Sequence, residues 1–453
     1  MPVQDAAAAV DQWKHRAPRY TLFRDYYNGQ HSLKFATPNF VEKYGQIIKS
    51  LRENLCPAVV SAFTDRLSIT AWTGDGETAA LDESVEQGVS RLVNLVHREA
   101  FRTGDAFALV WPGADGTPKA TYHRADEIVP HVDPVDPDRL DWAAKVWYDR
   151  GLRRGRVNVY YTDRVERYRT LAEVHADQSS ADLPSEPTAW VPHADDDGAE
   201  VIGHTFGAVP VCWWKRDADD QRSGGRSVLA DVIPLQDALN KSVADLVVTS
   251  ETYSRPFWYL LNHAPGEARI DPATGLPGKQ QALGQKFDPT RQQVFTTDGP
   301  GPFGQLTPPD LTRLLTIQDG YAHKIARVVG VPTYYFSQTS GDVPSGESLR
   351  VLSSRLTAGV EDFQQDASPV WRGLMQLLGH DVSPEWASAA PMDEAEKLDA
   401  AVTKKQLGYP LVDILRDLGE ADAEDIAARA GQANESARTA AARLFAEGNF
   451  TEA

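Results

Sequence analysis

Apolar residues recur at spacings of three and four in several stretches of this chain, the spacing that predicts helices with one buried face. Two such stretches lie in the first hundred residues, at 40–55 and 84–101. Their apolar positions are Phe40, Tyr44, Ile47, Ile48, Leu51, Leu55, Val85, Val89, Leu92, Val93, Val96 and Phe101. Gly104 and Asp105 then interrupt the pattern, and 106–111 is typical of a strand. Residues 1–110 are therefore predicted to be mainly helical.

Between 119 and 215 the apolar period changes to two, which is typical of strands. Short strands are predicted at 145–148, 156–161 and 164–169, joined by turns as in a meander, with a last strand at 206–214. Tryptophans in these strands are interpreted as core or subunit contacts; they are Trp147, Trp213 and Trp214.

Two further helical patterns enclose a segment rich in Pro and Gly, 254–306, which carries strand-like pieces at 257–261 and 292–296. The first helix has Pro234 in its first turn or at a kink. Its apolar face comprises Leu235, Leu239, Val243, Leu246 and Val247, and its polar face Asp237, Asn240, Lys241 and Asp245.

The second of these helices has a clear start and stop. Thr307 is predicted to cap it, with Pro308 at the first helical position and Asp310 completing a capping box. Gly330 and Pro332 predict its end. Its apolar stripe comprises Leu311, Leu314, Leu315, Tyr321, Ile325, Val328 and Val329.

A polar segment, 337–345, separates this helix from another long helical pattern, and a further helix is predicted at 370–378. The apolar positions of the long pattern are Leu349, Leu352, Leu356, Val360 and Phe363. From 381 onward acids outnumber Lys and Arg by 15 to 7, and Ala-rich helices are predicted at 393–407 and 422–430. The predicted fold class is α+β and mainly helical.

Composition narrows the possible functions. The 453 residues predict two to four domains, and the formal net charge of −18 argues against an open, basic nucleic-acid-binding surface. The two cysteines, Cys56 and Cys212, are interpreted as buried apolar side chains. Neither a signal peptide nor a membrane span is predicted, so no membrane partner is expected.

Motifs of catalysis are weak or missing. The chain has no G-x-x-x-x-G-K-[ST], G-x-S-x-G or H-E-x-x-H motif, and Gly299–Gly304 matches G-x-G-x-x-G with prolines that cannot donate to a phosphate. Single histidines such as His97 and His323 are interpreted as solvated or hydrogen-bonded. The acidic loops 133–138 and 195–198 lack calcium-loop spacing and are interpreted as solvated turns, although a cation site stays open as an alternative.

Four short motifs, in this order along the chain, together resemble the portal (head-to-tail connector) proteins of tailed bacteriophages with long non-contractile tails. The first resembles the N-terminal part of that family and consists of three segments, Tyr27–His31, Asn54–Pro57 and Asp65–Leu67. The others are Gly225–Leu229 with Pro234–Asn240, Ile325–Pro332, and Ser345–Arg350. The resemblance covers about residues 20–430.

The resemblance implies a ring, typically of twelve subunits, around an axial channel at one capsid vertex of the virion. It implies a wing (1–225 and 332–380), stem helices (226–253 and 307–331), a clip (254–306) and a crown with an acidic tail (381–453). The implied partners are the packaging terminase ATPase, a head–tail adaptor, the major capsid and scaffolding proteins, and double-stranded DNA bound without sequence specificity. Assembly is expected in the host cytoplasm, and no cofactor, metal or catalytic residue is expected.

The resemblance also implies functional residues, which are assigned by their position in this sequence. The tunnel loop would comprise Ser337, Gln338, Thr339, Ser340, Gly341, Asp342 and Ser345, which include no Lys or Arg. Possible stem contacts to phosphates are Lys241, Lys324 and Arg327, with solvated or intersubunit ion pairs as the alternative. The clip docking cations would be Arg269, Lys279, Lys286 and Arg291. Two other hypotheses remain: another phage head or assembly component, and a cytoplasmic metal-dependent hydrolase or transferase with an acidic site near Asp136.

Overall fold

The computed structural model describes most of the chain. The described residues are 2–32, 42, 45, 53–74, 77–79, 81–113, 115–136, 139–174, 182–195, 198–218, 224–253, 258–261, 294–297, 303–305, 310–336, 346–390, 394–418, 423 and 426–432. About half of these residues are helical, and strands form a substantial remainder. Most of the predicted helix at 40–55 lies outside the described residues, as do all of the tunnel-loop residues 337–345 and the four clip cations.

The helices follow the sequence predictions in most places. They are α1 (Pro2–Tyr27), α2 (Cys56–Thr64), α3 (Glu83–Thr103), α4 (Ile233–Tyr253), α5 (Thr312–Val329), α6 (Gly346–Leu377), α7 (Glu394–Gln406) and α8 (Leu411–Asp417). Residues 426–432 are also helical. The apolar positions predicted for α3 are buried from Val89 to Phe101, so that prediction is confirmed.

Strands form four sheets within the described residues. The strands are β1 (Ile69–Gly74), β2 (Glu77–Thr78), β3 (Asp105–Pro112), β4 (Pro118–His123), β5 (Ile128–Val132), β6 (Leu140–Asp149), β7 (Arg154–Tyr160), β8 (Arg164–Thr170), β9 (Trp190–Pro192), β10 (Val201–Gly203), β11 (Val211–Lys215), β12 (Trp258–Leu261), β13 (Val294–Thr297), β14 (Phe303–Gln305) and β15 (Ser383–Trp386). The sheet orders are β15-β1-β2, β10-β8-β7-β6-β5 with β9 on β8, β11-β3-β4, and β13-β12-β14.

The predicted meander is confirmed, since β5 to β8 pair antiparallel with their neighbours along the chain. One face of this sheet packs against α1 through Ala and Val side chains of that helix, together with Trp142, Val157 and Tyr168. Ala143, Tyr160 and Val165 lie on the other face and pack against the β11-β3-β4 sheet. Alternation along each strand thus gives the meander two buried surfaces.

The main core lies where α2, α3 and α6 meet β3 and β11. Trp214 and Trp371 are both fully buried there, with ring centroids 4.6 Å apart. Cys56 and Cys212 are free and buried, and burial raises the pKa of each thiol to about 12. The interpretation of both cysteines as buried apolar side chains is therefore confirmed.

Three local predictions differ from the structure. The returning helix α5 begins at Thr312, five residues later than Thr307, and the Asp310 carboxylate accepts the backbone N–H of Thr312 at 3.0 Å. The last strand of the 206–214 pattern begins only at Val211. The stretch from 383 to 386, for which no strand was predicted, is a strand that pairs with β1.

The two helices predicted at 349–363 and 370–378 are one continuous helix, α6, with Pro369 inside it. Proline removes one backbone hydrogen bond and ordinarily breaks a helix. In α6 the residues on both sides of it belong to one core, with Phe363 on one side and Trp371 and Leu374 on the other. Tertiary burial of one continuous face therefore offsets the local cost of the proline.

Candidate ring and channel surfaces

The start of α4 is held by a buried carboxylate, that of Asp105. Its oxygens accept hydrogen bonds from the Tyr20 hydroxyl at 2.6 Å, the Trp213 indole at 2.8 Å and the backbone N–H of Gly225 at 2.8 Å. Its side chain is fully buried, and Arg16 and Arg19 approach it at 3.5 and 3.4 Å. Burial first, and then the Asp105 charge, raise the pKa of the Tyr20 phenol.

Only glycine fits at position 225, in the segment before α4 whose backbone N–H donates to the Asp105 carboxylate. A Cβ on Gly225 would stand 2.0 Å from the carbonyl oxygen of Gly104 and 2.7 Å from the backbone nitrogen of Arg216. Gly104 itself has a φ of 97° and ends α3 in the left-handed conformation. The segment before α4 is therefore fixed by backbone-to-backbone contact, which the Gly225–Leu229 motif permits.

The N-terminal half of α4 buries polar side chains. Asp237 accepts a hydrogen bond from the Tyr26 hydroxyl at 2.7 Å, and Asn240 contacts the His31 ring at 3.0 Å. Gln236 donates to the carbonyl of Glu53 at 2.6 Å. Asp237 and Asn240, predicted on the polar side of this helix, are buried, with exposed fractions of 7% and 2%.

Helices α4 and α5 pack against each other, as expected for the two stem helices. Helix α5 ends at Gly330, whose φ of 82° confirms the predicted stop. A Cβ on Gly330 would meet the Arg355 side chain of α6 at 2.7 Å, and the Arg355 guanidinium donates to the Arg327 carbonyl at 3.5 Å. The end of α5 is thus fitted closely against α6.

The three candidate phosphate-contact residues lie on this helix pair. Lys241 forms an ion pair with Asp245 of the same helix at 2.6 Å. The Lys324 ammonium lies 5.0 Å from the ring centroid of Tyr321. Arg327 is exposed in the last turn of α5. The contact partners that the structure gives Lys241 and Lys324 lie on their own helices.

Large apolar side chains are exposed on α5 and at the beginning of α6. On α5 the exposed fractions are 48% for Leu315, 46% for Ile317 and 41% for Val328. On α6 they are 70% for Val351 and 55% for Leu352. Leu315 and Ile317 lie two positions apart and project from different sides of α5, so these residues offer apolar contacts to other macromolecules on more than one side of the helix. We call these five residues the exposed helix face.

The other residues singled out from the sequence have structural explanations. His97 is buried and accepts a hydrogen bond from the Trp371 indole at 3.2 Å, in agreement with its interpretation as a hydrogen-bonded residue. Asp133 contacts Arg139 and accepts the backbone N–H of Val135 at 2.8 Å. Residues 137–138, 196 and 197 of the acidic loops lie outside the described residues. The described part of the chain contains no group of three or more His, Cys, Asp or Glu that could hold a metal ion.

Asp195 begins a turn, because the backbone N–H of Gly198 donates to its carbonyl at 2.8 Å, and its side chain also has charged partners. Its carboxylate forms ion pairs with Arg156 and with Arg167, the latter at 3.3 Å, and His193 lies 3.4 Å away. Sequence reasoning also missed the Asp105 carboxylate, although its position directly after Gly104 at the start of an apolar strand was a usable signal. Of the helices that are described, none has the length and apolarity to cross a membrane.

Comparison with known proteins identifies the class to which this architecture belongs. A protein-family model described as "Phage portal protein, SPP1 Gp6-like" matches residues 89–434. The chain therefore belongs to the phage portal protein family of the SPP1 Gp6 type, a family of structural proteins. A search of curated proteins found no match.

Solved structures with a similar fold come from gene transfer agent (GTA) particles. One, the neck of an empty GTA particle computed with C6 symmetry, is 14% identical with a TM-score of 0.43, over 83% of this chain and 90% of that chain. Another, the neck of a native GTA particle computed with C12 symmetry, is 13% identical with a TM-score of 0.41, over 85% and 94%.

Proposed function

We propose that this chain is the subunit of a portal ring that conducts double-stranded DNA during packaging and ejection. The exposed helix face carries the proposal, because a single copy leaves its large apolar side chains in water while the base of α4 is held rigidly by buried contacts. A neighbouring copy would cover this face. The contact would be heterologous, so that the ring closes by rotation, with the twelve subunits that the family resemblance implies.

The charge of the chain suits a conduit that does not hold its cargo. A wall that neutralised many phosphates would release counterions and bind DNA tightly at each step. The net charge of −18 avoids this, and Asp245 lies beside the exposed Lys241 and weakens its attraction for a phosphate. Base contacts would be neither needed nor possible for a sliding duplex. Lys241, Lys324 and Arg327 are the proposed loose phosphate contacts.

The remaining parts of the proposal follow from position in the chain. Residues 254–306, with the cations Arg269, Lys279, Lys286 and Arg291, would form the clip on which the packaging terminase ATPase and the head–tail adaptor dock. Residues 337–345 would form a tunnel loop without cations at the channel. The 1–225 region would face the major capsid and scaffolding proteins in the virion.

Particle images and mass measurements of the purified protein test the ring. We expect closed rings, and we expect the double variant Leu315→Asp with Ile317→Asp to remain folded but monomeric, because charges at a buried subunit contact are costly. Val135→Asp is the matched control, since Val135 is 91% exposed and lies in a loop between β5 and β6. A wild-type chain that stays monomeric at every concentration would contradict the proposal.

A further inference from the structure

One face of the meander has an unusual composition and is only partly buried by the rest of the described chain. The face of β6, β7 and β8 that packs against the β11-β3-β4 sheet does so through Ala143, Tyr160 and Val165. Further along the same face the strands carry polar and basic side chains instead. The alternation of the strands places these residues on the same side of the sheet as that apolar contact.

Strand register arranges these residues in two rows across the sheet. In the first row Lys145 pairs with Asn158, Asn158 pairs with Arg167, and the backbone N–H of His193 donates to the Arg167 carbonyl at 2.9 Å. The second row consists of Trp147, Arg156, Arg169 and Val191, paired in that order. Neither row contains a carboxylate. We call these eight residues the basic sheet face.

The second row places two like charges directly opposite each other. Arg156 and Arg169 are cross-strand partners, an arrangement that destabilises a sheet unless an anion compensates it. The Arg156 side chain is only 9% exposed. The Nε atoms of Arg156 and Arg169 are buried and, within the described residues, have no hydrogen-bond acceptor. Buried charged donors of this kind are costly when left unsatisfied.

Two carboxylates already show which chemistry satisfies this surface. Asp195, from the loop after β9, contacts Arg156 and Arg167, and Asp149 at the end of β6 lies 3.7 Å from Arg156. The structure gives the Arg169 guanidinium no ion pair with any described residue, and Trp147 lies beneath the charges of Lys145 and Arg156 at 5.5 and 5.2 Å. Burial first, and then the neighbouring arginines, lower the pKa of His193 although Asp195 opposes them.

We propose that the basic sheet face binds an acidic polypeptide segment of a partner protein, whose Asp or Glu carboxylates pair with the guanidinium of Arg169. A carboxylate fits the planar fork of a guanidinium and is small enough to reach recessed ones. A DNA duplex is a poorer fit, because the Arg156 and Arg167 side chains are only 9% and 13% exposed. The chain's net charge of −18 would also repel it. This binding does not depend on ring formation.

Fluorescence anisotropy with a labelled hexaglutamate peptide and the full chain at low salt tests the proposal. We expect saturable binding that weakens with added salt. Arg169→Gln should weaken it about tenfold through loss of a charge-assisted donor. Asp195→Asn should strengthen it severalfold, because the competing carboxylate is removed. Arg153→Gln should leave binding unchanged, since Arg153 pairs with Glu173 outside the two rows.

Other outcomes would overturn the inference. If Asp195→Asn weakens peptide binding, the cluster only fixes the loop that carries Asp195. If a 20-base-pair duplex binds more tightly than the peptide and responds to Arg169→Gln, the partner is nucleic acid. Displacement of the peptide by an equal concentration of inorganic phosphate would indicate a simple anion site. Mass measurements on the same samples report the rings separately, and Arg169→Gln should leave them intact.

Discussion

Buried charges in the N-terminal region find their partners within the same chain, whereas several large apolar side chains on α5 and at the beginning of α6 stay exposed. Asp105 is surrounded by donors from α1, β11 and the segment before α4, and Glu99 is held by Arg24 and Arg102. On the exposed helix face, by contrast, Leu315 and Val351 are 48% and 70% exposed. The first region is stable by its own contacts, and the second leaves apolar surface that the proposed ring would cover.

Among the substitutions that test this comparison, the one expected to change the free energy of unfolding most is at Asp105. Asp105→Ala leaves the Tyr20, Trp213 and Gly225 donors without an acceptor and two arginines without their charge partner. We expect a loss of about 4 kcal/mol in the free energy of unfolding, measured by urea denaturation. Asp115→Ala is the control, because Asp115 is exposed and paired only locally with Lys119. Equal denaturation midpoints for both variants would show that the Asp105 contacts do not stabilise the fold.

A glycine-to-alanine substitution, which adds one methyl group, is expected to change the free energy of unfolding in opposite directions in the two regions. Gly225→Ala drives a Cβ into the Gly104 carbonyl and should cost about 3 kcal/mol. Gly320→Ala, in the middle of α5, meets no atom within 4 Å and should stabilise the isolated chain by about 1 kcal/mol through helix propensity. Thermal unfolding of both variants measures the difference. A destabilised Gly320→Ala monomer would indicate that α5 is already covered by its own chain.

The next largest expected effect is the pH dependence of the free energy of unfolding, which arises from the buried residue His97. Burial lowers the pKa of His97 to about 3, while a backbone hydrogen bond with Leu67 opposes the shift. The unfolded chain takes up this proton near pH 6.5 and the folded chain does not, so stability is full above that pH and falls as pH decreases toward 3. At pH 5 the loss is about 2 kcal/mol.

His97→Gln tests this assignment, because an amide can accept the Trp371 indole N–H without titrating. Its free energy of unfolding should fall less steeply between pH 7 and pH 4 than that of the wild type. His323→Gln, on the exposed side of α5, should retain the wild-type slope. Parallel slopes for wild type and His97→Gln would assign the acid sensitivity to other groups.

Sequence periodicity predicted those parts of the fold that depend on local contacts. The apolar stripe of α3, the meander and the stop of α5 at Gly330 were predictable because each signal lies within a few neighbouring residues. The pairing of β15 with β1 was not, since Trp386 meets Ile69 from the other end of the chain. The continuity of α6 through Pro369 likewise depends on a core that local pattern does not describe.

The candidate site was less predictable, because polar residues carry no signal of their own burial. Asp237 and Asn240 have the spacing of a solvated helix side, yet Tyr26 and His31 cover them from a distant segment. For the basic sheet face, the arginines are evident in the sequence, but their arrangement is not. Only the strand register shows that Arg156 and Arg169 lie opposite each other. In both cases the deciding partner lies on a different element of the fold, which the local pattern does not reveal.

The smallest expected difference in the free energy of unfolding is between substitutions at two neighbouring residues of α4, Asn240 and Lys241. Lys241 is 53% exposed at its side chain and pairs with Asp245 one turn along α4, and such a pair contributes only about 0.3 kcal/mol. Lys241→Gln should therefore leave the free energy of unfolding nearly unchanged. Asn240→Ala, one residue earlier, should cost about 1–2 kcal/mol because it removes a buried contact with His31. Similar losses for both variants, measured by urea denaturation, would mean that the exposed side of α4 is held as firmly as its buried base, and the contrast between the two regions would not extend to this helix.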